Sequence, residues 1–336
     1  MFKTYNQEAM FAVEAVTMAA KLCRQIQREM VLPAVSKEDR SPVTVADFAS
    51  QAIIARMMME SFPEFTLVGE EGSNVLKKEP QAQALESVTA YAKSIFPEAT
   101  PDSVCEWIDL GAGEVGERYW TVDPIDGTKG FLRGDQYVVA LALVVDGKVV
   151  VGALGCPTLN RDFIPLQLGE GMSVVAVQGE GTWAREMEGG EFEPIHVSDC
   201  SYSGDARILR SFESGHTDEG KMERLVQELG IETAPVLMDS SAKYALLAAG
   251  KGDLIFRLVS RVQPDYTEKI WDHAAGSLIV EEAGGRITDL RGKTLDFSFS
   301  HLLERNIGVL ASNGRLHEDA LEALVEVGAD QRPEVR

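Results

Sequence analysis

Two apolar runs, 137–145 and 148–154, are separated only by Asp146-Gly147. That dipeptide suits the two-residue turn of a β-hairpin, whose central positions need positive φ. The hairpin constrains the fold more than any other feature of the chain, because it points to a mixed or antiparallel sheet rather than a simple parallel one. Around it the spacing predicts further elements. Helices are expected over 7–30, where Phe11, Ala15, Met18, Leu22 and Ile26 recur at helical intervals, and from an N-cap at Thr44 through Ile53, Ile54 and Met57 to Pro63. Residues 65–70 and 118–123 read as strands and 82–95 as a weak helix. Beyond them, 206–215 reads as strand and loop, 218–229 as helix, 239–250 as a capped helix stopped by Gly250, and 253–259 as strand. A helix over 272–283 stops at Gly284-Gly285, and a strand at 307–311 and a helix at 315–326 follow. The mixture is α/β. After Pro157 the texture changes to short strand-like pieces rich in Gly and Glu, which suggests subdomains over 1–157 and 158–336. Residues 98–118 follow no readable pattern.

Charge narrows the function. The chain has 32 basic and 53 acidic residues, a formal net charge of -21, and no basic stripe, so a nucleic-acid polymer is not an expected partner. An anionic small molecule would need a locally positive pocket or bound cations to approach. With 45% hydrophobic and 25% charged residues the composition is that of an ordinary soluble protein, and no apolar run approaches bilayer length. The opening MFKTYNQEAM has neither a signal-peptide nor a transit-peptide pattern. Cys23, Cys105, Cys156 and Cys200 are widely spaced without a CxxC pair, and read as reduced, mostly buried thiols in a cytoplasmic setting.

The segment most informative about chemistry is Asp123-Pro124-Ile125-Asp126-Gly127-Thr128. Two carboxylates flank a Pro-Ile pair, Pro124 restricts the backbone, and Gly127 permits a tight exit. A carbonyl between the carboxylates would add a hard oxygen, and an all-oxygen set suits Mg²⁺ or Mn²⁺ rather than zinc. On these six residues alone, a plain surface turn is an equally good reading. Glu70 ends a strand, while Asp47 and Asp272 lie near helix starts, where a cap explains each of them singly. Together, four segments place carboxylates at element ends, where sites usually form. A two-metal arrangement is then coherent, with Thr128 orienting a water and Asp47 drawing off its proton.

The stretches Val43-Thr44-Val45-Ala46-Asp47, Val68-Gly69-Glu70-Glu71, Trp120–Gly130 (WTVDPIDGTKG) and Ile270–Gly276 (IWDHAAG), followed by EEAGGRITDLRG, resemble the inositol monophosphatase superfamily. The longer DPIDGTKGFLRGDQYVVALALVVDG, GHTDEG at 215–220, DSSAKYALLAAGKGDLIFR at 239–257 and YTEKIWDHAAG at 266–276 are similar to its 3'(2'),5'-bisphosphate nucleotidase branch. The resemblance implies a layered α-β-α-β-α sandwich, of the inositol monophosphatase and fructose-1,6-bisphosphatase type. It implies one Mg²⁺ on Glu70, Asp123 and the Ile125 carbonyl, and a second on Asp123, Asp126 and Asp272. A third, looser ion would sit near Asp47 and Glu70, and Mn²⁺ would be a possible substitute. Asp47, Glu70 and Thr128 would be catalytic. Substrate contacts are implied at Gly127, Thr128, His216, Ser240, Lys243, Arg257 and Asp272.

The implied reaction is removal of the 3'-phosphate of adenosine 3',5'-bisphosphate by direct water attack, with 3'-phosphoadenylyl sulfate a further substrate. Lithium sensitivity and a place in sulfur metabolism follow from the same likeness, and no obligate protein partner is expected. Taken without the likeness, His216 in a polar loop and Lys243 on a helix face read as structural. Arg257 in an apolar strand requires a partner, and Asp239 reads as a helix cap. His273 is assigned a structural role. The alternatives are an inositol phosphate phosphatase, a catalytically silent nucleotide sensor, and a magnesium-stabilised structural protein.

Overall fold

The computed structural model describes residues 2–31, 41–62, 64–78, 81–166, 169–212 and 218–333. Helices α1 (Asn6–Ile26) and α2 (Ser41–Ser61) cover one face of a seven-stranded sheet. Its strands are β1 (Leu67–Gly69), β2 (Arg118–Asp126), β3 (Val138–Val145), β4 (Lys148–Cys156), β5 (Met172–Val177), β6 (Thr182–Glu186) and β7 (Glu193–Ile195), in that spatial order. Within this sheet, among the described residues, only β1 and β2 pair in parallel. The hairpin forms as the sequence requires, with Asp146 at φ 50° and Gly147 at φ 72°. The sheet continues through the turn at Pro157 into β5, β6 and β7.

Burial of both faces explains why β3, and β4 after Lys148, are apolar. Val139, Leu141 and Leu143 point into a core shared with Phe11, Val16 and Ile53 of α1 and α2. Val138, Ala140, Ala142 and Val144 point to the other face, into a core with α7 (Ala242–Ala248) and α8 (Ile270–Glu282). Two glycines on β4 set the layer spacing. A Cβ at Gly155 would lie 2.5 Å from the Val16 carbonyl of α1, and one at Gly152 would lie 2.7 Å from the Ala275 carbonyl of α8. Beyond α7 and α8 lies a three-stranded antiparallel sheet, β10 (Leu254–Arg257), β12 (Val309–Ser312) and β11 (Arg286–Thr288) in spatial order. Its outer face packs Leu254, Phe256 and Leu310 against Met222 and Leu225 of α6 (Glu219–Glu228) and Leu324 of α9 (His317–Glu326). The layers are therefore α-β-α-β-α, as the resemblance implied.

Several local readings are corrected. Thr44 is not the N-cap of the second helix, because α2 begins three residues earlier, at Ser41. The helix expected from 239 begins at Ala242, and Asp239 does not cap it. Instead its carboxylate accepts from Arg133 and from the Phe212 amide. The unreadable stretch contains α4 (Pro101–Asp109), started by Pro101 and a Thr100–Ser103 capping box in which Ser replaces the usual Glu. Helices α3 (Ala82–Ile95) and α5 (Thr128–Arg133) are the other α-helices among the described residues, and β8 (Leu209–Arg210) and β9 (Val236–Leu237) form a short parallel pair.

Candidate active site

The central motif breaks the sheet where the cleft begins. Asp123 pairs with Ala140 but Asp126 with Val138, so three steps on β2 face two on β3. In a regular strand, residues three apart point to opposite faces. The bulge at Pro124-Ile125, where proline offers no N–H to the ladder, lets Asp123 and Asp126 serve one cleft. Ser50 of α2 donates to the Pro124 carbonyl at 2.9 Å and holds the bulge. Ile125 buries its side chain in the first core while lining the cleft, so it presents backbone there. Gly127, at φ 97°, turns the chain into α5, and a Cβ on it would lie 2.8 Å from that of Ser240. Thr128 follows as the first residue of α5. Glu70 arrives from the neighbouring strand, one residue past the Gly69–Val122 pair and thus level with Asp123.

The opposite wall comes from the second half of the chain. Asp272 lies in the first turn of α8. The Ser241 amide donates to Asp126 Oδ2 at 2.5 Å and its hydroxyl to the Asp272 carbonyl at 2.9 Å, which ties α7, α8 and the central motif together. The resulting cleft encloses about 310 Å³ and is lined by Glu70, Asp123, Ile125, Asp126, Gly127, Thr128, Ser240, Lys243, Arg257 and Asp272. Ten of the eleven expected site residues other than His216 line the cleft, and the eleventh, Asp47, is buried and feels the charges of Glu71 and Glu70. His216 lies outside the described residues.

The site is electrostatically unbalanced. Burial pushes the Asp123 carboxyl well above the usual range, and the charges of Glu70, Asp126, Asp272 and Asp47 add to the effect. Burial, then Asp126, raises Asp272 to about 7. Burial, then Glu71 and Glu70, raises Asp47. Asp123 Oδ1 is buried without a hydrogen-bond partner. Crowded, buried carboxylates with an orphaned oxygen are what a hard divalent cation would neutralise. The donor set therefore fits such an ion.

Glu71 was missed as a site residue. It raises the Asp47 pKa, and burial followed by Glu70 lifts its own to about 7. Its place in the Glu70-Glu71 pair was the available signal. Glu268 was also missed. It accepts from Arg257 Nη2 and His273 Nε2, both at 2.9 Å, while Tyr244 Oη lies 2.7 Å from His273 Nδ1. The partner that Arg257 required is thus a protein carboxylate, although Arg257 Nε stays unpartnered. Among the described residues, the group of three or more His, Cys, Asp or Glu whose donor atoms all lie within 4.8 Å of one another is Glu268, Asp272 and His273. Two of these are engaged in the Arg257–Glu268–His273 chain rather than free to ligate. Lys243 is buried, with Nζ 3.0 Å from Ser211 Oγ and 3.3 Å from the Met238 carbonyl. Burial, then the Arg257 charge, lowers its pKa to about 8.

The chain matches the inositol monophosphatase family model over residues 5–329 and belongs to that family. Within it, the chain is similar to proteins named 3'(2'),5'-bisphosphate nucleotidase. The Schizosaccharomyces pombe protein is 38% identical over 343 residues, with 96% of each chain covered. The Oryza sativa protein is 38% identical over 346 residues, covering 97% of this chain and 96% of the relative. Among solved structures, Mycobacterium tuberculosis SuhB shares the fold with a TM-score of 0.65 at 18% identity, over 98% of this chain and 100% of that one. All four cysteines are free thiols, and among the described residues no helix is long and apolar enough to cross a membrane.

Proposed function

We propose that the chain is a Mg²⁺-dependent phosphomonoesterase that removes the 3'-phosphate of adenosine 3',5'-bisphosphate and also acts on 3'-phosphoadenylyl sulfate. The observation that carries the reading is the bulge that turns Asp123 and Asp126 into one cleft with Glu70 and Asp272, leaving a buried carboxylate oxygen unpaired. The names of the full-length relatives support the substrate. Glu70, Asp123 and the Ile125 carbonyl would hold one ion, and Asp123, Asp126 and Asp272 a second. Mg²⁺ supplies the positive charge that the phosphoryl oxygens and the attacking water require. Mn²⁺ is an acceptable substitute, and a third ion near Asp47 and Glu70 fits the same reading.

The remaining chemistry belongs to the chain's own groups. The Thr128 hydroxyl, at the start of α5, orients the water, and Asp47 accepts its proton, assisted by Glu70. The buried position and like-charged neighbours of Asp47 favour proton uptake. Lys243 and Arg257 face the phosphate that is not cleaved, Ser240 donates a hydrogen bond, and His216 contacts the nucleoside. The enzyme is sensitive to lithium, works in a cytoplasmic setting in sulfur metabolism, and binds small nucleotides rather than polymers or membranes. The test is phosphate release in Mg²⁺ from adenosine 3',5'-bisphosphate, inositol 1-phosphate and inositol 1,4-bisphosphate in parallel. Preference for the nucleotide is expected. Preference for an inositol substrate overturns the assignment, and no release from a broad panel would leave a silent binding protein.

A further inference from the structure

Lys269 was not among the expected site residues, yet it lines the same cleft. Its ammonium donates to Glu70 Oε1 at 2.9 Å and lies 5.2 Å from the centre of the Trp271 ring. Its backbone is well held. Lys269 is extended and bridges Leu302, while the flanking Ile270 amide donates to the His301 carbonyl and the Glu268 carbonyl accepts from Leu303. The long side chain is therefore aimed into the cleft from a fixed base, with only its stem free to swing. Asp123 and Asp272 also act on its charge.

We propose that Lys269 is a resident counter-cation for Glu70, which divalent metal must displace and which then moves to a phosphate oxygen of the substrate. The proposal rests on the reading of Glu70 as a metal ligand. The ammonium at 2.9 Å takes one acceptor direction of Glu70 Oε1, so a metal on that oxygen would share the carboxylate with Lys269. Metal on that oxygen would also bring two positive charges within a few ångströms of Lys269, and the repulsion drives the ammonium off. The nearest anionic acceptor then entering the cleft is the phosphate that the metal itself attracts. Lys269 thus weakens metal binding to the empty site and strengthens phosphate binding to the loaded one. These opposite signs separate the role from that of an ordinary surface ion pair.

The experiment compares the wild-type chain with Lys269→Met and Glu70→Gln. Free Mn²⁺ is counted by its electron paramagnetic resonance signal, and inorganic phosphate is titrated calorimetrically onto Mn²⁺-saturated protein. Methionine keeps a stem of similar length against Trp271. In Lys269→Met, Mn²⁺ should bind about tenfold tighter and phosphate about tenfold weaker, a modest change because the lysine is partly exposed. Unchanged or weaker Mn²⁺ binding in Lys269→Met overturns the counter-cation role, and unchanged phosphate binding overturns the transfer. Glu70→Gln should weaken Mn²⁺ binding. If it does not, the ligand reading itself fails, which is a different result from failure of Lys269→Met alone.

Discussion

Glu268→Gln removes one negative charge while keeping the side chain's shape. In the folded chain the Glu268 carboxylate is nearly buried and takes both Arg257 Nη2 and His273 Nε2 at 2.9 Å. Burial alone would raise its pKa, but the Arg257 charge and the His273 hydrogen bond override that and hold the carboxyl far below its usual range. Glutamine leaves the Arg257 guanidinium uncompensated, with Nε already lacking a partner. Breaking a buried pair from one side costs about 3–5 kcal/mol. Unfolding entropy of about 2 cal/mol/K per residue gives roughly 0.7 kcal/mol/K for a chain of this length, so Tm should fall by about 4–7 °C. The sign with pH follows from the depressed folded pKa. The stabilisation is fully present above the unfolded glutamate pKa of about 4.3 and is lost as pH falls toward the lower folded value. The Tm gap between wild type and variant should thus be constant from pH 8 to 5 and narrow below about pH 4. Differential scanning calorimetry in chelator measures it without metal. The double variant Arg257→Met with Glu268→Met should recover much of the loss, because no charge is left stranded. A drop under about 1 °C at pH 7, or a double variant as unstable as the single, refutes the reasoning.

Asp126→Asn should lower phosphate release by about 10²–10³-fold, while Tm in chelator stays level or rises because one member of a repelling cluster is neutralised; a large fall in Tm with unchanged specific activity would favour a structural metal site. Gly127→Ala should cost about 1–3 kcal/mol in urea unfolding, from positive φ and the close approach to Ser240, and should reduce turnover with it. His317 is buried with its ring nitrogens 3.0 Å from Thr288 Oγ1 and 2.8 Å from Ser312 Oγ, and burial lowers its pKa to about 4. Its folded pKa lies below the unfolded value of about 6.5, so it should contribute a loss of stability as pH falls from about 6.5 through 4, and His317→Gln should flatten that part of the urea-midpoint profile.

Local signals made much of the fold legible. Asp146-Gly147 set the central hairpin, the spacing from Phe11 to Ile26 set α1, and Gly284 marks the end of α8. Such signals act through backbone sterics and side-chain periodicity within a few residues, so they survive in any context. Other elements were read only loosely or not at all, because their sequence signals are short or atypical. The strand-like pieces after Pro157 did not reveal that β5, β6 and β7 extend the sheet from β4, while α5 has only six residues and α4 starts from a serine variant of the capping box.

The site divides in the same way. Asp123-Pro124-Ile125-Asp126-Gly127-Thr128 was visible because its chemistry is contiguous, and the resemblance supplied Glu70 and Asp272. Only the tertiary structure explains how Asp123 and Asp126 come to one side, since that depends on two steps of β3 opposing three steps of β2. Only the tertiary structure gives Arg257 to Glu268, and sets Lys269 on Glu70 across 199 positions of chain. By itself, the sequence determined the hairpin, the helix periodicities and the types of oxygen ligand on offer, because those depend on neighbouring residues. Which charges face one another in the cleft was decided by layer packing, because electrostatic pairing depends on distance in space and a string of residues does not contain it.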